Sequence, residues 1–292
     1  METKTDSRKA SARIITVLWD KSGFPIVENP ADTMHTLRPI RKLTAGGDTN
    51  TKLRKSLGYG FRTIGLSLSP SKESGFGNLC GSSSTGCVDA CLDHQGLASV
   101  FENIRFGRIA RTALWFLHRD WFLSQLSHEI FNAQRLAERN GEKLAVRLNV
   151  FSDIKFEKYG LLSQFPNVEF YDYSKHVGRA GQMLPNYWVT FSRSETNHED
   201  CLRELQRGNN VAIAFDTGRV GNRVSMDASP LDLPKTWHGF PVIDGDTTDL
   251  RFDDLRGRSR GRVVGLRLKA ASRAERLGAL ESGFAIPRKA SK

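Results

Sequence analysis

The chain has 292 residues, 39% of them apolar and 26% charged, with a formal net charge of +11. That apolar share is enough for a buried core and excludes disorder throughout, and no run of about 18 apolar residues exists to cross a bilayer. The polar start METKTDSRKASAR lacks the apolar stretch of a secretory leader, and four cysteines are too few for a disulfide scaffold, so the expected location is the cytoplasm.

Residues 1–60 read as a lead-in, weakly ordered or an accessory strand, with residues 13–19 (RIITVLW) extended and a turn at Gly23 and Pro25. From residue 61 short apolar runs alternate with helical segments. The first strand is expected at 63–69, ended by Pro70. A helix follows over roughly 100–117, with Arg105, Arg108 and Arg111 on one side. The next helix takes Asp120 as N-cap, turns Phe122, Leu126, Ile130, Ala133 and Leu136 to one side, and stops at Gly141. Further strands are expected at 144–150, 168–171, 187–191, 211–215, 242–243 and 263–268, with short helical links at 159–164 and 199–207. Four- to seven-residue runs that are apolar throughout suit strands buried on both faces. Strand–helix alternation at this spacing predicts an α/β fold with mainly parallel strands over 61–270, a partial or full (β/α) barrel. Residues 271–292 read as a basic C-terminal tail.

The positive charge lies at the ends. Residues 1–60 hold 11 basic and 6 acidic side chains, residues 61–250 hold 20 and 22, and residues 251–292 hold 12 and 4. A basic end such as 251–292, with Arg256, Arg258, Arg260 and Arg262 between small residues, suits phosphate contact. Nucleic acid is therefore one candidate partner, and a solvated surface is the plainer account.

Polar side chains gather just after the predicted strands, where parallel α/β folds keep their sites. They are Asn149, Ser152 and Asp153; Asp172, Tyr173 and Lys175; Ser192 and Arg193; and Asp216. Small polar residues there also cap helices, but Lys175 and Arg193 are not capping residues. The segment 75–96, GFGNLCGSSSTGCVDACLDHQG, carries three of the four cysteines. Cys80, Cys87 and Cys91 are expected to bind metal. One reading is a 4Fe–4S cluster on three thiolates with one iron open. Another is a closed zinc site that adds His94. A third holds no metal. Cys201 stands apart in a predicted helix as core filler.

A cysteine loop after the first strand, followed by strand–helix units and a late strand VVGLRLK, resembles an uncharacterised phage family called gene product 88. Through the same features the chain resembles a divergent radical S-adenosylmethionine (SAM) barrel. That resemblance implies a TIM-like barrel, a 4Fe–4S cluster on Cys80, Cys87 and Cys91, and SAM on the open iron. It also implies Ser152 and Asp153 near the methionine moiety, and Asp172, Tyr173, Arg193 and Asp216 around a pocket for an unknown substrate. The cysteine intervals depart from the usual radical SAM spacing: six and three residues lie between them here. For a phage-encoded chain the expected compartment becomes the host cytoplasm. Two other functions stay open: a zinc-stapled nucleic-acid-binding or replication-associated phage protein, and a metal-dependent nuclease using the acidic run Asp244, Asp246, Asp249, Asp253 and Asp254.

Overall fold

The apolar runs of the sequence become the strands of one large sheet. A computed structural model describes residues 16–28, 39–46, 55–91, 102–220, 223–224, 233–254, 260–270 and 272–287. Chain order runs β1 (Thr16–Trp19), β2 (Pro25–Glu28), β3 (Thr44–Gly46), β4 (Phe61–Leu66), α1 (Thr85–Asp89), α2 (Glu102–Leu117), α3 (Arg119–Arg139) and β5 (Lys143–Arg147). It continues with β6 (Glu169–Ser174), β7 (Gly181–Leu184), β8 (Tyr187–Ser192), α4 (His198–Gln206), β9 (Val211–Phe215), β10 (Arg219–Val220) and β11 (Arg223–Val224). The last elements are β12 (Thr236–Trp237), β13 (Phe240–Asp244), β14 (Val263–Arg267) and α5 (Arg273–Glu281).

The sheet has ten strands in the order β12-β13-β14-β9-β8-β6-β5-β4-β3, with β7 added on β8. The seven strands from β13 to β4 along that order are mutually parallel. β3 and β12 close the two edges in antiparallel pairing. Strands β4, β5, β6, β8 and β9 stand side by side in chain order, the single winding of a barrel. The order then reverses, because β14 inserts between β9 and β13. The expected full barrel is not found: among the described residues β3 and β12 end the order and do not pair with each other. The physical reason is that each edge is taken by a short antiparallel strand, which leaves no parallel partner for closure.

Alternation along the strands separates two faces. Leu144 and Val146, Phe170, and Tyr187 and Val189 join the core beneath α2 and α3. Ala145, Tyr171 and Trp188 turn the other way and pack on Leu250 and Phe252. One face is therefore covered by α2 and α3, and the other by a short 3-10 turn, Arg251–Asp254, and, toward β9 and β14, by α5. Both faces are dry, which explains strands without polar alternation.

Helix α3 buries Phe122, Leu126, Ile130 and Ala137, the first three at roughly 1.5–3 kcal/mol each. The expected stripe drifts at its end: Leu136 is 39% exposed and Ala137 takes its place. His118 rather than Asp120 is the N-cap residue, and Asp120 lies in the first turn, where a carboxylate favours the helix dipole. Gly141, at φ +70°, stops the helix as expected. Glu129, buried on the core side of α3, accepts from Leu43 N (2.7 Å), Thr44 N (2.8 Å) and Thr44 Oγ1 (2.7 Å). That carboxylate ties the edge strand β3 to the helix, so part of the expected lead-in 1–60 belongs to the sheet.

The stretch 271–292, read above as a tail, contains α5. Ser272 caps that helix by accepting from Glu275 N. Ala279 and Ala285 are buried with Leu268, and Ile286 bridges to Phe215 of β9. Nothing local marks this segment as docked, because α5 spans only nine residues and packs against Leu268 and, from β9, Ala214. No helix among the described residues is long and apolar enough to cross a membrane.

Candidate functional site

A cavity of about 250 Å³ opens at the carboxyl ends of the parallel strands. Arg147, Tyr173, Ser192, Ala214 and Leu266 line it. Each continues the parity of Ala145, Tyr171 and Trp188, so the cavity sits over the face opposite α2 and α3. Cys80, Cys87 and Cys91 form another wall together with Ser83 and Ala90.

The cysteine loop is held at several points. Cys80 donates its thiol to Phe151 O (3.3 Å) and accepts from Ser71 N (3.4 Å). Cys87 lies in α1 and Cys91 just beyond its end, and both line the cavity. Ser84 caps α1 by accepting from Cys87 N. Glu195, from the loop after β8, accepts from Ser84 Oγ (2.7 Å) and Gly86 N (2.8 Å). A Cβ at position 86 would lie 2.9 Å from Ser282 Oγ and 3.0 Å from the Glu195 carboxyl carbon. A larger residue at position 86 would require the Ser282 and Glu195 side chains to shift.

Burial pushes the Cys91 thiol up to about 12, and Cys87 and Cys80 add to the rise. Burial also raises Cys80; the Ser71 amide and Lys175 oppose that rise, and Cys87 and Asp153 add to it. The Cys80 and Cys91 thiols thus stay protonated at neutral pH. Cys201 is buried in the core with Phe191 and Leu205, as expected of filler.

Beneath the cavity lies a buried polar brace. Asn149 donates from N (2.7 Å) and Nδ2 (2.9 Å) to Asp172. Tyr187 Oη donates to Asp172 (3.1 Å) and accepts from Arg179 (2.6 Å). Arg179 also donates to Asp153 (2.8 Å) and to both oxygens of Glu157. Asp153 further accepts from Ser174 Oγ and Lys175 N. Ser152 donates to Asn149 Oδ1 (2.9 Å). Burial drives Asp172 up to about 6, against the hydrogen bonds from Asn149 and the charges of Arg179 and Arg147.

Of the residues predicted from sequence, Cys80, Cys87, Cys91, Asn149, Ser152, Asp153, Tyr173, Lys175 and Ser192 all line the cavity. Asp172 does not; it is fully buried behind Asn149. Arg193 reaches away and donates to Gly283 O and Phe284 O, both at 2.9 Å. Burial raises the Asp216 carboxyl, but hydrogen bonds from Arg276 and the Gly218 amide, together with the Arg276 charge, hold it below the ordinary carboxylate range. His94 lies outside the described residues. Among the described residues no three His, Cys, Asp or Glu side chains converge closely enough to hold a single metal ion.

The acidic run is engaged by arginine. Arg267 pairs with Asp244 (2.8 Å) and Asp246 (3.3 Å), and Arg147 pairs with Asp249 (3.1 Å). Arg251, fully buried, pairs with Asp254. Within the basic end, Arg267, Arg251 and Arg276 are thus each turned on a carboxylate. Arg260 donates to Gly239 O, and Arg256 and Arg258 lie outside the described residues.

Sequence reasoning missed Arg147, Arg267, Lys269 and Phe284 as cavity residues and Glu195 as an anchor of the loop. Arg147 carried a readable signal, a lone charge in the strand run LAVRLNV. The others depend on long-range pairing. No curated protein and no solved structure matches the chain. A family model described as Gene product 88 matches residues 40–283, which hold the sheet, the cysteine loop and the cavity, so the chain belongs to the phage gene product 88 family.

Proposed function

We propose that this protein is an iron–sulfur enzyme of radical SAM type, with Cys80, Cys87 and Cys91 as cluster ligands and the adjoining cavity as the reaction chamber. One observation carries the reading: three thiols face one cavity at the carboxyl ends of a run of parallel strands. Three sulfur donors match the ligand number of a cluster that keeps one iron open. The single winding of β4, β5, β6, β8 and β9 also agrees with a partial barrel.

When bound, a cluster with an open iron and SAM supplies a carbon radical that abstracts hydrogen from a substrate. The chain's own residues do the rest. Cys80 is oriented by Phe151 O and Ser71 N. Glu195 and Ser84 fix the backbone that carries Cys87. Phe151, Leu266, Leu268 and Phe284 make apolar walls that exclude water from a reactive centre.

The test is metal analysis of protein purified without oxygen. About four irons per chain are expected, with none in the triple variant C80A/C87A/C91A. A colourless protein that takes up no iron on cluster reconstitution, or one that holds stoichiometric zinc instead, overturns the assignment.

A further inference from the structure

We propose that the cavity holds a compact oxyanion, a carboxylate or a phosphate, at Lys175 between the carboxyl ends of β6 and β8. The register of these strands pairs Ser174 with Phe191, so Lys175 and Ser192 emerge side by side at the rim. Lys175 Nζ donates to Ser192 Oγ (3.0 Å). An ammonium carries three donors, and this bond uses one. Because Ser192 Oγ accepts from the lysine, its own hydrogen is left to donate outward. Two N–H groups of the ammonium and the Ser192 hydroxyl hydrogen therefore remain to donate, and both residues line the cavity.

The acids nearby are already engaged. Asp153 is taken by Arg179, Ser174 Oγ and the Lys175 backbone. Asp246 is taken by Arg267, with Lys269 at 3.5 Å. Among the described residues no carboxylate lies within ion-pair distance of Lys175 Nζ. Of the four cations that line the cavity, Arg147 pairs with Asp249, Arg267 with Asp244 and Asp246, and Lys269 with Asp246, which leaves Lys175 as the cation whose charge no carboxylate there meets. Val150, Phe151, Ala214, Leu266 and Phe284 supply apolar walls, and a charge-assisted hydrogen bond is stronger beside such walls than in water. The ligand class that completes this arrangement is a small molecule bearing one carboxylate or phosphate. The inference rests on the cavity being the functional site, as read above, and not on which metal the cysteines hold.

The full-length protein is titrated by calorimetry at constant ionic strength with inorganic phosphate and, separately, with acetate, and iron is measured in the same samples. One of the two probes is expected to bind saturably at one site per chain. K175Q should weaken it at least tenfold and S192A several-fold, while K175R retains it. The tighter probe identifies the anion. If K175Q does not fold, S192A and K175R carry the comparison. No saturable binding of either probe, or equal binding in wild type and K175Q or S192A, overturns the proposal. Iron without anion binding removes the oxyanion site alone. Anion binding by a protein that takes up no iron removes the cluster reading alone.

Discussion

Arg179 and Lys175 stand four residues apart after β6, yet their surroundings differ in kind. Arg179 has 3% exposure, and all three of its side-chain nitrogens donate to Asp153, Glu157, Ile154 O or Tyr187 Oη. Lys175 lines the cavity with one hydrogen bond, to Ser192. The first is part of a closed network that holds the loops after β5 and β6 together. The second keeps donors to spare beside the three cavity cysteines. A buried charge survives only when it is paired, so the brace can be deep. The cavity wall keeps unspent hydrogen-bonding capacity because it is reached from outside. Structure and reactivity are thus divided between neighbouring residues of one segment.

Three substitutions test that division, in falling order of effect. Arg179→Met strands the carboxylates of Asp153 and Glu157, and should cost about 3–5 kcal/mol, the range for breaking a buried ion pair. Urea unfolding measures it; a loss under about 1 kcal/mol would put the arginine among ordinary surface pairs and dissolve the contrast.

Asp172 sharpens the same contrast through pH. Its carboxyl is raised to about 6 in the fold, above its ordinary value near 4. The folded state therefore holds that proton more tightly than the unfolded chain. The stability this contributes is complete below about pH 4 and is lost as pH rises through about 6, a swing of about 3 kcal/mol. Relative to Asp172→Asn, the wild type should gain stability on acidification from pH 6 to 4. Parallel stability curves for the two proteins would show that Asp172 ionises freely.

The smallest effect lies on the open side. Glu195→Ala removes the acceptor for Ser84 Oγ and Gly86 N, and should cost roughly 1 kcal/mol, as loss of a helix cap does. Its clearer signature is local: alkylation of Cys87 by a neutral reagent should speed up several-fold, with Glu195→Gln intermediate. An unchanged alkylation rate would mean that the loop holds its shape without β8.

Much of the fold could be read from the chain. The run VAIAF became β9 with the expected bounds, and YWVTF became β8 with one residue added. Such runs are legible because an uninterrupted apolar stretch of this length has to be buried on both sides. The cysteine wall was legible for a different reason: three rare residues within twelve positions carry a signal that needs no folding. Arg193 and Asp216 stood in the predicted rim and point elsewhere. Their partners, Gly283 O and Arg276, come from the C-terminal segment, far from both along the chain. Asp172 and Asp153 were read as cavity carboxylates. Both are spent on hydrogen bonds, and one lies below the cavity surface.

Local residue order was sufficient to set the α/β class, the strands, the buried stripe of α3 and the cysteine loop, because each follows from periodicity or composition within a short window. Only tertiary structure decided the rest. It put β14 between β9 and β13, capped the sheet with β3 and β12, and folded α5 against the cysteine loop. It also chose which charges cancel and which stay open. Those outcomes depend on pairings between residues as far apart as Arg147 and Asp249 or Ser84 and Glu195, and no local window of the sequence contains both members.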